Sequence, residues 1–240
     1  ALLILPRTGN LTLFIGFYIF SFLIQFGIGY FRSKKYFQPL PKVNYSNVKS
    51  TILDALPFLL VGVFASIYIS MDTVMLSFMS GDVVVGWYNA GYKLINIINF
   101  FPQLILIFGF PLFSKYIVHK KAVAKKLIGH MTLSAYVILF PCIVAVWLFG
   151  NRIIEFIYSF SSIESFVAFK ILIIAQLFVF LSMVFGHFIA ADKQKRFSKI
   201  AGIGAAINIL LNFLLIPKFS LYGAAVATLV TYLFMTVFMY

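Results

Sequence analysis

Apolar positions run along this chain in long unbroken stretches, cut at intervals by charges, prolines and polar clusters. A helix needs about 20 mostly apolar residues to cross the hydrocarbon core of a bilayer. Cutting at the interruptions leaves seven stretches of that order, at residues 8–31, 51–79, 83–114, 127–149, 166–191, 200–216 and 221–240. The runs are continuously apolar rather than alternating, which favours helices over a transmembrane barrel. The third contains Lys93, Pro102 and Pro111 and is long enough to tilt or kink. The pattern predicts an all-α, polytopic membrane protein of about seven transmembrane helices.

Composition points the same way. Of the 240 residues 62% are hydrophobic and 10% charged, against about 45–50% and about 25% in soluble domains. A soluble fold of this size could not hide that much apolar surface. The few charges are lopsided, with 19 Lys+Arg against 6 Asp+Glu, a net +13. In a soluble protein that excess would suggest nucleic acid; in a membrane protein it reports orientation. Arg32, Lys34, Lys35, Lys42 and Lys49 follow the first span. Lys115, Lys120, Lys121, Lys125 and Lys126 follow the third, and Lys193, Lys195, Arg196 and Lys199 follow the fifth. These 14 cations share one side, against Arg7, Arg152 and Lys218 on the other. The bias puts the basic loops in the cytoplasm of a multi-pass protein of the cell membrane, and no nucleic-acid partner is expected. Outer loops are short, the longest at about residues 150–165, so no extramembrane domain is expected.

Cys142 is the single cysteine, which rules out an internal disulfide or a CxxC metal site and reads as a buried, inert thiol. The chain starts Ala1-Leu2-Leu3-Ile4-Leu5, without the features of a signal peptide, and Tyr240 closes an apolar run. We expect a fragment of a longer chain at both ends.

No Walker loop, HExxH or Gly-x-Ser-x-Gly occurs, and no enzyme activity is expected. His119, His130 and His187 are scattered near the basic ends of spans and suggest no metal site. The informative residues are the charges inside spans. Each costs about 2.5–3.5 kcal/mol on insertion scales and usually faces a cavity or a partner. Folding the hairpin about Gly81 sets Asp72 opposite position 90, with Lys93 about one turn deeper. An Asp72–Lys93 ion pair, or a shared hydrated cavity, is predicted in the outer half of the membrane. It serves either function or only the joint insertion of two charges.

Asn89, Lys93, Asn96, Phe100 and Gln103 recur at three or four residues and share one face, bordered by Tyr92 and Asn99. That stripe predicts a water-lined surface, with interhelical hydrogen bonding as the alternative. Ser66, Ser70, Thr73 and Ser77 share a face that reads as helix packing. Lys170 is either a snorkelling side chain or a substrate contact. Asn208 and Asn212, beside Gly202, Gly204, Ala205 and Ala206, read as a close-packing face with a cavity role as the alternative.

Three stretches carry a resemblance. Residues 69–76 read Ile-Ser-Met-Asp-Thr-Val-Met-Leu, and 86–94 read Gly-Trp-Tyr-Asn-Ala-Gly-Tyr-Lys-Leu. Residues 208–217 read Asn-Ile-Leu-Leu-Asn-Phe-Leu-Leu-Ile-Pro, followed at 222–228 by Tyr-Gly-Ala-Ala-Val-Ala-Thr. Residues 190–195, Ala-Ala-Asp-Lys-Gln-Lys, resemble a cytoplasmic turn before that span. In order and spacing these resemble the polysaccharide (O-antigen type) flippases of the multidrug/oligosaccharidyl-lipid/polysaccharide exporter superfamily. The resemblance covers most of residues 50–240.

The resemblance implies two pseudosymmetric six-helix lobes. Residues 1–31 would be the last helix of the first lobe, 32–50 a basic cytoplasmic linker, and 51–240 the complete second lobe. The missing N-terminal half of the same chain would then be a partner. The implied activity is flipping of a polyprenyl-pyrophosphate-linked oligosaccharide by alternating access. Its partners would be the lipid-linked glycan, membrane lipid and the glycan-synthesis machinery. Lys93, with Lys170, would offset the pyrophosphate charge, while Asn89, Asn96, Gln103, Asn208 and Asn212 hydrogen-bond phosphates or sugars. Asp72 would hold Lys93 or compete for it. No cofactor is implied, and coupling to Na+ or H+ stays open. A multidrug or small-cation exporter of the same superfamily is the nearest rival, although Asp72 is the only carboxylate available to a cationic cargo. A membrane-embedded glycan polymerase or ligase should show a substantial outer loop or an acidic catalytic pair, and neither is visible.

Overall fold

The computed structural model describes residues 11–36, 45–158 and 163–240. Arg7, the start of the first span, linker residues 37–44 and outer residues 159–162 lie outside the described residues, as do the side chains of His119 and residues 190–192. The described residues are helical almost throughout, and seven of their helices are long and apolar enough to cross a membrane. They are α1 (Leu11–Ser33), α2 (Tyr45–Ser80), α3 (Asp82–His119), α4 (Lys121–Tyr158), α5 (Ile163–Ile189), α6 (Lys193–Phe219) and α7 (Leu221–Met239). Each overlaps one of the apolar stretches read from the sequence.

The helices outrun the apolar stretches. Only Lys120 separates α3 from α4, and α5 and α6 form one helical run broken at Lys193 (φ −133°, ψ 58°). The basic segments expected as loops are therefore largely helical ends. Lys, Arg and Ala carry high helix propensity, and no Gly or Pro interrupts residues 115–126. The tight turns lie at the opposite ends. Gly81 joins α2 to α3 at φ +87°, a backbone conformation that favours glycine, and Ser220 joins α6 to α7 at φ +51°.

The chain divides into two compact units, Ala1–Thr51 and Ile52–Tyr240. The first carries α1, with exposed large apolar side chains such as Phe17, Leu23 and Phe26, and a 3₁₀ turn at Lys34–Tyr36. The second carries the other six spans, with Phe108, Phe140, Leu148 and Phe213 on its outside. Such a surface suits lipid.

Inside the second unit the core changes along the bundle. At the end of the Gly81 and Ser220 turns one apolar cluster draws on all six helices, through Leu76, Tyr88, Ile154, Phe169, Ile216 and Leu221. Towards the basic end it gives way to two. One joins α3, α4 and α5 through Phe113, Met131, Leu139 and Phe188. The other joins α2, α5, α6 and α7 through Tyr68, Val179, Ala201, Tyr232 and Met235. The helices are thus tied together at one end and parted at the other.

Candidate transport cavity and a buried polar knot

A cavity of about 480 Å³ lies where the two clusters part. Its walls come from α2 (Val61, Ala65, Tyr68, Ile69), α3, α5 and α7, with Phe197 of α6. On α3 the lining residues are Tyr92, Asn96, Asn99 and Gln103, which fall within about 60° of one another around the helix. On α5 they are Val179, Ser182, Met183 and His187, spaced to share a face. Tyr68 and Tyr232 meet edge to face at 5.7 Å. The Tyr92 hydroxyl donates to the Ile69 carbonyl (3.0 Å), and the Ser182 hydroxyl to the Val179 carbonyl (2.8 Å). Lining side chains thus hold α3 against α2, while the amides of Asn96, Asn99 and Gln103 face the space. The volume falls in the range of about 300–1,000 Å³ usual for small-molecule sites.

A second polar group lies nearer the tied end. Asp72 is 1% exposed and Tyr88 fully buried. The Asp72 carboxylate accepts hydrogen bonds from the Tyr88 hydroxyl, from the Thr73 N–H (2.7 Å) and from the Thr228 hydroxyl (3.5 Å). One carboxylate therefore joins α2, α3 and α7. Next to it on α7, Thr231 donates to the Ala227 carbonyl (2.7 Å) and accepts from the Asn208 amide (3.4 Å). Asn212 in turn donates to Asn208 Oδ1 (3.1 Å), and both asparagines are fully buried. The Oδ1 of Asn212 has no partner. The helices α6 and α7 can approach this closely because Gly223 carries no side chain. A Cβ there would stand 2.5 Å from the Leu215 carbonyl oxygen.

This geometry corrects several expectations. No Asp72–Lys93 ion pair forms: Asp72 is buried against Tyr88 and Thr228, and Lys93 is exposed. Lys93 lies about 140° around α3 from Tyr88, so the face that reaches Asp72 cannot also present the lysine. Nor do the two share the cavity, since neither lines it. Lys93, Phe100 and the half-buried Asn89 run beside the cavity wall, whereas Asn96 and Gln103 line it. Asn208 and Asn212 pack between α6 and α7, away from the lining. Lys170 stands over the rings of Phe166 (4.2 Å) and Trp147 (4.7 Å), also away from the cavity. The face with Ser66, Ser70 and Ser77 is exposed rather than packed, because α2 docks through Tyr68, Asp72 and Leu76 on its opposite side. Cys142 is half-buried.

His187, Ser182 and Tyr232 were not read as site residues from the sequence. Their only signal was placement within apolar spans. Among the described residues no three His, Cys, Asp or Glu side chains gather as they would around a metal ion.

Residues 1–117 match a family model described as "Polysaccharide biosynthesis protein". An uncharacterized membrane protein of Methanocaldococcus jannaschii is 26% identical over 187 residues, covering 75% of this chain and 36% of that protein. A protein named "Putative O-antigen transporter" from Shigella dysenteriae is 25% identical over 202 residues, covering 80% of this chain and 48% of its own length. The chain thus spans about a third to a half of the length of these curated relatives. No solved structure matches it significantly. The family match takes in Asp72, Tyr88 and the α3 cavity wall, and ends before the walls contributed by α5 and α7.

Proposed function

We propose that this multi-pass membrane chain, for which the matches support a polysaccharide flippase-type family, is part of a transporter for polyprenyl-pyrophosphate-linked oligosaccharide. Residues 51–240 act in this proposal as one lobe of a larger protein in the cell membrane, with the basic ends in the cytoplasm.

The observation that carries the proposal is the parted core: a cavity at membrane depth with a wall of amides on α3, sealed at the opposite end by a cluster shared among six helices. A cargo with a charged, hydroxylated head cannot cross bare hydrocarbon, because unsatisfied polar groups there cost several kcal/mol each. Asn96, Asn99, Gln103, Tyr92 and His187 offer hydrogen bonds in place of water. Closing the parted end and parting the tied one would present the head to the other side, which is alternating access by rigid-body motion. Lys93, exposed beside the cavity wall, supplies positive charge for the pyrophosphate at the cavity's edge. No Asp or Glu among the described residues lines the cavity, which speaks against a cationic cargo.

Coupling to an ion belongs to the proposal as well. Asp72 is the one buried acid among the described residues, and it ties α2 to α3 and α7. Binding of H+ or Na+ at this carboxylate would change the strength of that tie, and so the balance between states.

Cells that depend on the whole protein for surface glycan provide the test. The double change Asn96→Leu/Asn99→Leu should abolish glycan display while the protein remains in the membrane, and Lys93→Ala should lower it. Normal display in both variants would overturn the proposal.

A further inference from the structure

The polar knot and the cavity are built on the same three helices, one turn apart. The knot takes Asp72 from α2, Tyr88 from α3 and Thr228 from α7. Four residues further towards the basic end each helix places a tyrosine: Tyr68 on α2, Tyr92 on α3 and Tyr232 on α7. Residues four apart stand one above the other on a helix, so the three tyrosines form the next layer of the bundle. All three line the cavity. On α3 and α7 the tyrosine is the lining residue nearest the knot, and on α2 only Ile69 lies nearer. The layer is the cavity's floor.

The floor is closely packed yet leaves polar atoms over. Tyr68 is 9% exposed and Tyr232 8%. Their rings meet edge to face, and the ring of Tyr92 stacks on that of Tyr88 in the knot behind it. The Tyr92 proton is taken by the Ile69 carbonyl. The hydroxyls of Tyr68 and Tyr232 have no hydrogen-bond partner among the described residues, and neither oxygen is sealed from the space it borders. A polar group that the protein buries and leaves unpaired calls for a partner, and an occupant of the cavity is placed to supply it. No Lys, Arg, Asp or Glu among the described residues lines that space.

We propose that the floor is a sugar seat: the hydroxyls of Tyr68 and Tyr232 bond those of one sugar ring, whose C–H groups lie against the tyrosine rings, with Asn96 and Asn99 at its flank. A phenol hydroxyl both donates and accepts, as a sugar hydroxyl does. A tyrosine joins an apolar body to a polar tip, which suits a ring that is itself part C–H and part hydroxyl. The absence of fixed charge matches a neutral ring better than an ionic group. The inference rests on a lipid-linked glycan being the cargo, and adds which sugar is held. Lys93, to which the pyrophosphate is assigned, directly follows Tyr92 and so stands at the height of the floor. The seated sugar is therefore the one bonded to the pyrophosphate.

Equilibrium binding of radiolabelled farnesyl pyrophosphoryl glucose to the whole protein in lipid nanodiscs tests it, with farnesyl pyrophosphate as the sugar-free control. Tyr68→Phe and Tyr232→Phe keep the rings and remove one hydroxyl each. Each should weaken the sugar-bearing probe about three- to tenfold, the loss expected of one hydrogen bond. Each should leave farnesyl pyrophosphate binding unchanged, which also shows that the variant is folded. Wild-type affinity for the sugar-bearing probe in both variants would overturn the proposal, the hydroxyls then meeting water only. An equal loss for both probes would overturn it as well, since the hydroxyls would then serve the fold or the phosphates. Glycan display reads the transport function separately. Protein-dependent display alongside wild-type binding in both variants would remove the sugar seat and leave the transporter standing. The expected binding pattern in cells whose display does not need the protein would do the reverse.

Discussion

Tyr88 and Tyr92 stand one turn apart on α3, their rings stacked at 5.8 Å, yet they belong to different regions of the molecule. Tyr88 is fully buried and donates to the Asp72 carboxylate, itself buried. Tyr92 is half-buried, donates to a backbone carbonyl and lines an open cavity. The same side chain in the same helix therefore closes the bundle in one place and furnishes a wall in the next. What separates them is whether their polar atoms are used up by the protein. In the knot almost all are spent within the protein, on a neighbouring helix or on their own. Along the cavity the amides of Asn96, Asn99 and Gln103 remain for something else.

Substitutions ordered by their expected cost to folding sharpen that contrast. Tyr88→Phe strips a donor from a buried carboxylate and should cost about 1.5–3 kcal/mol, the range for hydrogen bonds to charged groups. Reversible unfolding in mixed detergent micelles measures it, and an unchanged midpoint would mean that Asp72 is not held through Tyr88. Gly223→Ala forces a methyl against the Leu215 backbone at the α6–α7 crossing. Overpacking of this kind costs about 1–3 kcal/mol, read by the same unfolding assay; no loss of stability would show that the two helices separate easily.

Tyr92→Phe should cost only about 0.6 kcal/mol, the mean for an interhelical hydrogen bond in a membrane. A cost equal to that of Tyr88→Phe would erase the distinction between the two regions. The smallest folding effect for each position belongs to Asn96→Leu and Asn99→Leu, below about 0.5 kcal/mol at each of these exposed or half-exposed sites, while together they have the largest effect on glycan display. Stability loss without loss of display would recast the cavity wall as scaffold.

Much of this was legible in the chain itself. Continuous apolar runs predicted the spans, because a helix in lipid must satisfy its backbone internally and cover itself with apolar side chains. The singular Asp72 was visible as an expensive charge that must have a partner. The amide stripe of α3 was visible as a period of three to four. The choice of partner was not. A hairpin bent at Gly81 brings Asp72 near positions 88 to 93, and sequence separation alone cannot say which of them faces it. The rotation of α3 about its axis decides, and packing of Leu94 and Ile95 into the shared core sets that rotation.

The same division runs through the other polar residues. Asn208 and Asn212 announced a small, polar helix face, and only the approach of α7, allowed by Gly223, gave Asn208 its partner Thr231 across the helix contact. His187 carried no local signal, since one histidine in an apolar run has no period; its place on the cavity wall follows from α5 lying between the two core clusters. The sequence by itself determined the solvent of this protein, the number of its apolar spans and the inventory of polar groups inside them. Those are one-dimensional properties, set by transfer energies residue by residue. Tertiary structure alone decided which of those groups satisfy one another and which are left facing space, because that depends on how helices rotate and part.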